Sequence, residues 1–81
     1  MQIEVLLFAA ARDAAGSESI RVDVDDDARA GDVIEAIGLQ LPELAGLLPS
    51  CRLALDCCYV SGDAAVSADS EIALIPPVSG G

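Results

Sequence analysis

The sequence predicts an α+β domain in which one main helix packs across a mixed sheet. Three observations predict it. Apolar and polar residues alternate near both ends of the chain, a helical apolar stripe runs through residues 33–41, and Pro76-Pro77 ends the last alternating run. Eighty-one residues make one small domain, which buries roughly 60–65% of the surface its unfolded chain exposes. The 53% hydrophobic content, mostly Ala, Val, Leu and Ile, supplies a core without a disulfide or metal staple.

Each element follows from its residues. Gln2 to Phe8 begins as a strand with Ile3, Val5 and Leu7 on one face and Gln2, Glu4, Leu6 and Phe8 on the other. Ala9 to Ala15 is alanine-rich and closes at Gly16, which predicts a turn or two of helix with a glycine stop. Ser17 to Asp25 alternates again, with Ile20, Val22 and Val24 inward. The main helix is expected from about Ala30 to Leu41, with Val33, Ile34, Ile37 and Leu41 on its stripe, weakened at Gly38 and stopped by Pro42. Leu44, Leu47 and Leu48 recur at helical spacing between Pro42 and Pro49, predicting a short turn over the core. Strands then follow at Cys51–Asp56, with Cys51, Leu53 and Leu55 inward, and briefly at Tyr59-Val60 before a Ser61-Gly62-Asp63 turn. The last, Glu71 to Ile75, turns Ile72 and Leu74 inward and Ile75 outward.

Charge and composition exclude several functions. Fourteen carboxylates face four arginines, with no lysine and no histidine, for a net charge of −10. Nucleic acid and anionic lipid depend on clustered cations, so neither is an expected partner. Phe8 and Tyr59 are the only aromatics, which removes base stacking as well. The acidity fits either a solubility charge or a partner with a basic groove. Without histidine the commonest general base and zinc ligand are both missing. Asp25-Asp26-Asp27 precedes the main helix, where its dipole favours carboxylates, and it lacks the spacing of a calcium loop. No metal site is expected. Three cysteines, two of them adjacent, fit reduced thiols, with Cys51 in the core and Cys57 and Cys58 in a turn. The run Val5–Ala11 is too short to span a membrane, and Glu4 without a preceding basic residue argues against a signal peptide. A soluble, cytoplasmic protein is expected.

The chemistry lies in the ending Pro76-Pro77-Val78-Ser79-Gly80-Gly81. Residues 1–75 are read as the domain and 76–81 as a flexible tail. Glycines without side chains can enter a narrow cleft and leave the final carbonyl open to attack. The prolines stiffen the base of the tail, and its six residues reach at most about 20 Å when extended. On the glycines alone, a functional tail and an inert stub both remain open.

The ending Glu71-Ile72-Ala73-Leu74-Ile75-Pro76-Pro77-Val78-Ser79-Gly80-Gly81 resembles the "E-V-A-x-x-P-P-V-[ST]-G-G" of the β-grasp (ubiquitin-like) sulfur-carrier family, which includes the small subunits of molybdopterin synthase. The opening Val5-Leu6-Leu7-Phe8-Ala9 with Arg12-Asp13 and Gly16 is similar to "V-L-x-F-A…R-[ED]…G" of the same family, and the helix followed by Pro42-Glu43-Leu44 fits as well. The chain departs from the pattern at Asp56, where Asn is frequent, and at Ala68-Asp69-Ser70-Glu71. Leu74 and Ile75 replace common aromatics. Arg29 replaces a capping Thr, predicting a weak helix cap.

The resemblance implies a β-grasp fold and a mechanism. An E1-like adenylating enzyme, using ATP and magnesium, would adenylate Gly81, with Gly80 beside it. A sulfur donor of the cysteine desulfurase or rhodanese type would convert the adenylate to a thiocarboxylate. The tail would enter the molybdopterin synthase large subunit and give sulfur to cyclic pyranopterin monophosphate, in an assembly of two small and two large subunits. This chain would carry the sulfur without being catalytic alone and would bind no cofactor itself. In such a fold the first and last strands run parallel side by side, so Phe8 and Ile75 share one end. With Tyr59 they would form an apolar patch for the large subunit, beside Pro76, Pro77, Val78 and Ser79. The rival functions are a sulfur carrier for thiazole or another metabolite and a ubiquitin-like modifier joined to lysines through Gly81.

Overall fold

The protein was analysed as a computed structural model that describes residues 1–76; residues 77–81 lie outside the described part. Its elements are β1 (Gln2–Leu7), α1 (Ala9–Ala15), β2 (Ser19–Asp23), α2 (Ala30–Gln40), β3 (Arg52–Leu55), β4 (Cys58–Tyr59) and β5 (Ile72–Ile75). Two 3-10 turns, Pro42–Leu44 and Leu48–Ser50, cross between α2 and β3. The strands form one sheet in the order β2-β1-β5-β3-β4. Only the β1–β5 pair is parallel, with Val5 opposite Ile72 and Leu7 opposite Leu74, so the sheet is mixed as the sequence predicts.

The alternation places one face of this sheet under the helices. Ile3, Val5 and Leu7 of β1, Val22 of β2, Leu53 of β3 and Ile72 and Leu74 of β5 are buried. Val33 and Ile37 of α2 and Leu44 of the first 3-10 turn close over them. Fully burying such a side chain contributes about 1.5–3 kcal/mol, so this stripe holds the fold together. Gly38 has a packing reason for its place in α2. A Cβ there would stand 2.9 Å from Leu48 Cδ1, so glycine lets the second 3-10 turn lie against the helix. Among the described residues no helix is long and apolar enough to cross a membrane.

Several local readings change. The second strand is shorter than its alternation, because its final pairing is with the chain terminus: Met1 donates its ammonium to Val24 O at 2.6 Å and Val24 N–H donates to Met1 O at 2.9 Å. The same ammonium reaches Asp26 Oδ1 at 3.1 Å, giving the acidic run one cation. Arg29 holds the N-cap position of α2 without a side-chain cap bond, the weak cap expected there, since a guanidinium accepts no hydrogen bond. Asp32 caps instead, its carboxylate accepting Arg29 N–H at 2.9 Å. The free donors of Ala30 and Gly31 go to Ala64 O and Gly62 O at 2.8 and 2.9 Å. The brief fourth strand is Cys58–Tyr59 rather than Tyr59-Val60, so Cys58 is a strand residue and only Cys57 belongs to the turn. Cys51 lies just outside β3, half-buried against the core.

Candidate functional site

The end of β5 fixes what surrounds the root of the C-terminal segment. Leu7 pairs with Leu74, so the next residues, Phe8 and Ile75, emerge together at the same end of adjacent strands. Phe8 is extended (φ −128°, ψ 155°) and Ala9 turns sharply at φ +48°. That left-handed alanine costs about 1–2 kcal/mol. It swings the backbone into α1, and the ring of Phe8 is left 45% exposed. From the other side, Arg52 pairs with Ile75 and Ala54 with both Ala73 and Tyr59.

With Leu53, Ile72 and Leu74 facing the core, alternation turns Ala54, Ala73 and Ile75 to the uncovered face of the sheet. The two alanines lie opposite each other, only 4% and 8% exposed, between larger neighbours. A hollow of about 300 Å³ results, lined by Phe8, Ala54, Cys57, Tyr59, Glu71, Ala73 and Ile75. The structure therefore brings the three sequence-predicted patch residues into one groove. Pro76 follows directly and is buried. Pro77, Val78, Ser79, Gly80 and Gly81 lie outside the described residues.

The hairpin beyond the groove shapes its far end. Leu55 pairs with Cys58 across Asp56 and Cys57, whose φ values of +50° and +70° make a left-handed two-residue turn. Asp56 is locked to β5 by two bonds: its N–H donates to Glu71 O and its Oδ1 accepts from Glu71 N–H, each at 2.9 Å. Cys57 Sγ points along the groove toward Glu71 Oε1, 3.9 Å away. At the near end the Arg52 guanidinium carbon sits 5.3 Å from the centre of the Tyr59 ring, a cation–π contact that orients both side chains. Burial pushes the thiol of Cys51 above the ordinary range, whereas Cys57 and Cys58 are exposed.

Sequence reasoning missed the floor and the charged ends. Ala54 and Ala73 carry no signal until the β3–β5 register is known, and Glu71, Cys57 and Arg52 join the site only through that register and the turn. A larger hollow of about 430 Å³ lies between the end of β2 and α2, lined by Asp23, Asp25, Asp32 and Glu35 around Val24, Ala36 and Leu39. It shares no residue with the groove at the tail root. The groove is the better candidate because it adjoins the segment that carries the distinctive ending. Among the described residues, no group of three His, Cys, Asp or Glu side chains is arranged to hold a metal ion.

Comparison with known proteins identifies relatives by sequence and by fold. The chain is 36% identical over 83 residues to a molybdopterin synthase sulfur carrier subunit of Chlamydomonas reinhardtii, covering all of both proteins. It is 36% identical over 87 residues to small archaeal modifier protein 1 of Haloferax volcanii, covering 98% of this chain and 100% of that one. The crystal structure of the Haloferax volcanii modifier, SAMP1, superposes with a TM-score of 0.85 at 34% identity and full coverage of both chains, which makes the fold β-grasp and ubiquitin-like. The profile of the ThiS family matches residues 5–81. By sequence and by fold, this chain belongs to the ThiS family.

Proposed function

We propose that the chain is the sulfur-carrying small subunit of a molybdopterin synthase, with the carboxylate of Gly81 as its working group. A carboxylate is a poor electrophile, because its charge is delocalised and its leaving group would be oxide. Adenylation removes both obstacles. The Gly81 carboxylate oxygen attacks the α-phosphorus of ATP on an E1-like enzyme, pyrophosphate leaves, and an acyl adenylate forms. The terminal sulfur of a donor persulfide then attacks the acyl carbon and AMP departs. A second thiol takes the bridging sulfur, and cleavage of the S–S bond frees the thiocarboxylate. That sulfur passes to cyclic pyranopterin monophosphate inside the large subunit, which supplies the catalytic side chains.

The observation that carries the reading is the full-length likeness to a sulfur carrier subunit, with the family match running through Gly81. The groove of Phe8, Tyr59 and Ile75 supports it, since an apolar hollow beside the tail root suits a docking partner whose pocket the tail enters. Six residues from Pro76 to Gly81 span at most about 20 Å, enough to reach inside while the sheet docks outside.

The test is the intact mass of the untagged protein after incubation with ATP, the activating enzyme and a persulfide donor, with fragmentation to locate any change. Exchange of oxygen for sulfur at Gly81 is expected. Localisation matters because the shift is nearly isobaric with oxidation of Met1 or a cysteine. A carboxylate left unchanged would refute the carrier reading. The Haloferax volcanii likeness favours one second reading, a protein modifier, for which lysine-linked adducts of Gly81 in cell extracts would be the signature.

A further inference from the structure

The groove at the tail root is flanked by opposite charges: Glu71 lines one end, and Arg52 stands just outside the other, next to the lining residues Tyr59 and Ile75. At the end nearest the tail stands Arg52, paired with Ile75 and held over the Tyr59 ring at 5.3 Å. At the other end stands Glu71, with Asp56 bound to its backbone. Ile75 ends β5 and Glu71 immediately precedes it, four residues apart and roughly 13 Å at the rise of an extended chain. That exceeds the Debye length of about 8 Å at physiological salt, so each end acts on a ligand separately.

Arg52 is set apart from the other arginines by its aromatic partner, not by lacking an acid. The chain carries fourteen carboxylates, yet among the described residues the only ion pair joins Met1 and Asp26. Arg52 is exposed and takes an aromatic ring rather than an acid. The other three arginines stand elsewhere: Arg12 on α1, Arg21 on β2 opposite Glu4, and Arg29 donating to Asp63 O at 2.7 Å. A guanidinium fixed by stacking keeps its N–H fork unspent and pre-oriented for a carboxylate. Between the charges the floor is two alanines and the walls are Phe8, Tyr59 and Ile75.

We infer that this groove takes an apolar segment of the large subunit that carries a carboxylate at its tail-root end and a basic side chain at its hairpin end, with Arg52 and Glu71 fixing its direction. The inference rests on the proposed docking of the large subunit in the groove and adds its orientation. A segment docked in reverse meets like charges at both ends, which disfavours that orientation and directs the tail away from its pocket.

Titration calorimetry tests it, with the untagged chain and the molybdopterin synthase large subunit of the same organism. The series is the unaltered chain, Phe8→Asp, Arg52→Glu, Glu71→Arg and the Arg52→Glu/Glu71→Arg double variant, at low and high salt. Arg52→Glu and Glu71→Arg are each expected to weaken binding about tenfold or more, with the loss shrinking at high salt and the free chain still folded by circular dichroism. The double variant, with both ends reversed, is expected to bind no better than either single one. Loss of binding in Phe8→Asp with affinity within twofold in Arg52→Glu would keep the docking site and overturn the direction. An equal loss at every salt concentration would likewise overturn the electrostatic account. Unchanged binding by Phe8→Asp, or none by the unaltered chain, would remove the docking site and the inference together.

Discussion

Cys57→Gly should stabilise this protein, and the reason is a mismatch between turn and residue. The β3–β4 hairpin closes through two consecutive left-handed residues, Asp56 at φ +50° and Cys57 at φ +70°. Such turns favour Asn or Asp followed by Gly. Asp56 is compatible, because a short polar side chain tolerates this region and here accepts Glu71 N–H at 2.9 Å. Cys57 has no such compensation. Its side chain is exposed and its one polar approach, to Glu71 Oε1, is a long 3.9 Å. Left-handed backbone costs an L-residue about 1–2 kcal/mol, and the extra chain entropy lost by glycine returns about 0.5–1 of that. The net gain is about 0.5–1 kcal/mol. For a domain of this size that raises the unfolding midpoint by roughly 2–8 °C. Circular dichroism during heating, with urea titration to check that the slope is unchanged, measures it. Asp56→Gly is the control, since it relieves less backbone strain and removes the Asp56–Glu71 bond, worth about 1 kcal/mol, and should come out neutral or destabilising. An unchanged or lowered midpoint in Cys57→Gly would refute the strain argument, and equal gains in both variants would show the Asp56 bond to be idle.

Two further outcomes follow from single residues. Gly16 ends α1 at φ +70° with no atom within 4 Å of where a Cβ would stand, so Gly16→Ala should lose about 1 kcal/mol to backbone conformation alone, read as a lower urea midpoint at constant slope. Cys51, whose thiol pKa is raised by burial, should be alkylated by iodoacetamide at pH 8 more slowly than Cys57 or Cys58, as peptide mapping would show. A folded-state pKa above the unfolded value means that the native state holds this proton more tightly. The contribution of Cys51 is therefore complete below the ordinary thiol range and is lost as pH rises from it through the raised folded-state value, and Cys51→Ala should flatten any such alkaline loss.

How far the fold was legible depended on whether the deciding contacts were local. The inward set of each strand, the Val33–Ile37 stripe, the stop at Gly16 and the end of α2 before Pro42 are all local, and each is where the pattern puts it. The pairing of β1 with β5 is not local, and period-2 alternation says nothing about it; resemblance supplied it. The cap at Asp32 went unread because attention to the cap position itself misses the reciprocal carboxylate three residues later. Cys58 was read as turn because a cysteine pair has no strand signature until the two left-handed residues before it are known. In the site, Phe8 and Ile75 were readable from alternation once the two strands were taken as parallel. Tyr59 came close by its neighbourhood. The alanine floor and the Arg52–Glu71 ends needed the β3–β5 register, which no short segment encodes.

The position of β5 in the sheet has a mechanical consequence for a carrier. In the order β2-β1-β5-β3-β4 the strand leading to the tail is the central one, bonded to β1 on one side and β3 on the other. If the proposed carrier role holds, a pull on β5 from its C-terminal end would have to shear two ladders together. A tail leaving from an edge strand would have one ladder to hold it, and edge strands are the elements that detach most readily. Ile72 and Leu74 add anchorage, since both are buried beneath α2 on the side opposite the groove. One strand thus serves both faces: Ile72 and Leu74 hold the core, Ala73 and Ile75 line the groove proposed for docking, and a buried Pro76 follows. Polar substitution at Leu74 should consequently cost fold and docking together, whereas Ile75→Asp, at a half-buried position on the outer face, should weaken docking at a much smaller cost to the unfolding midpoint.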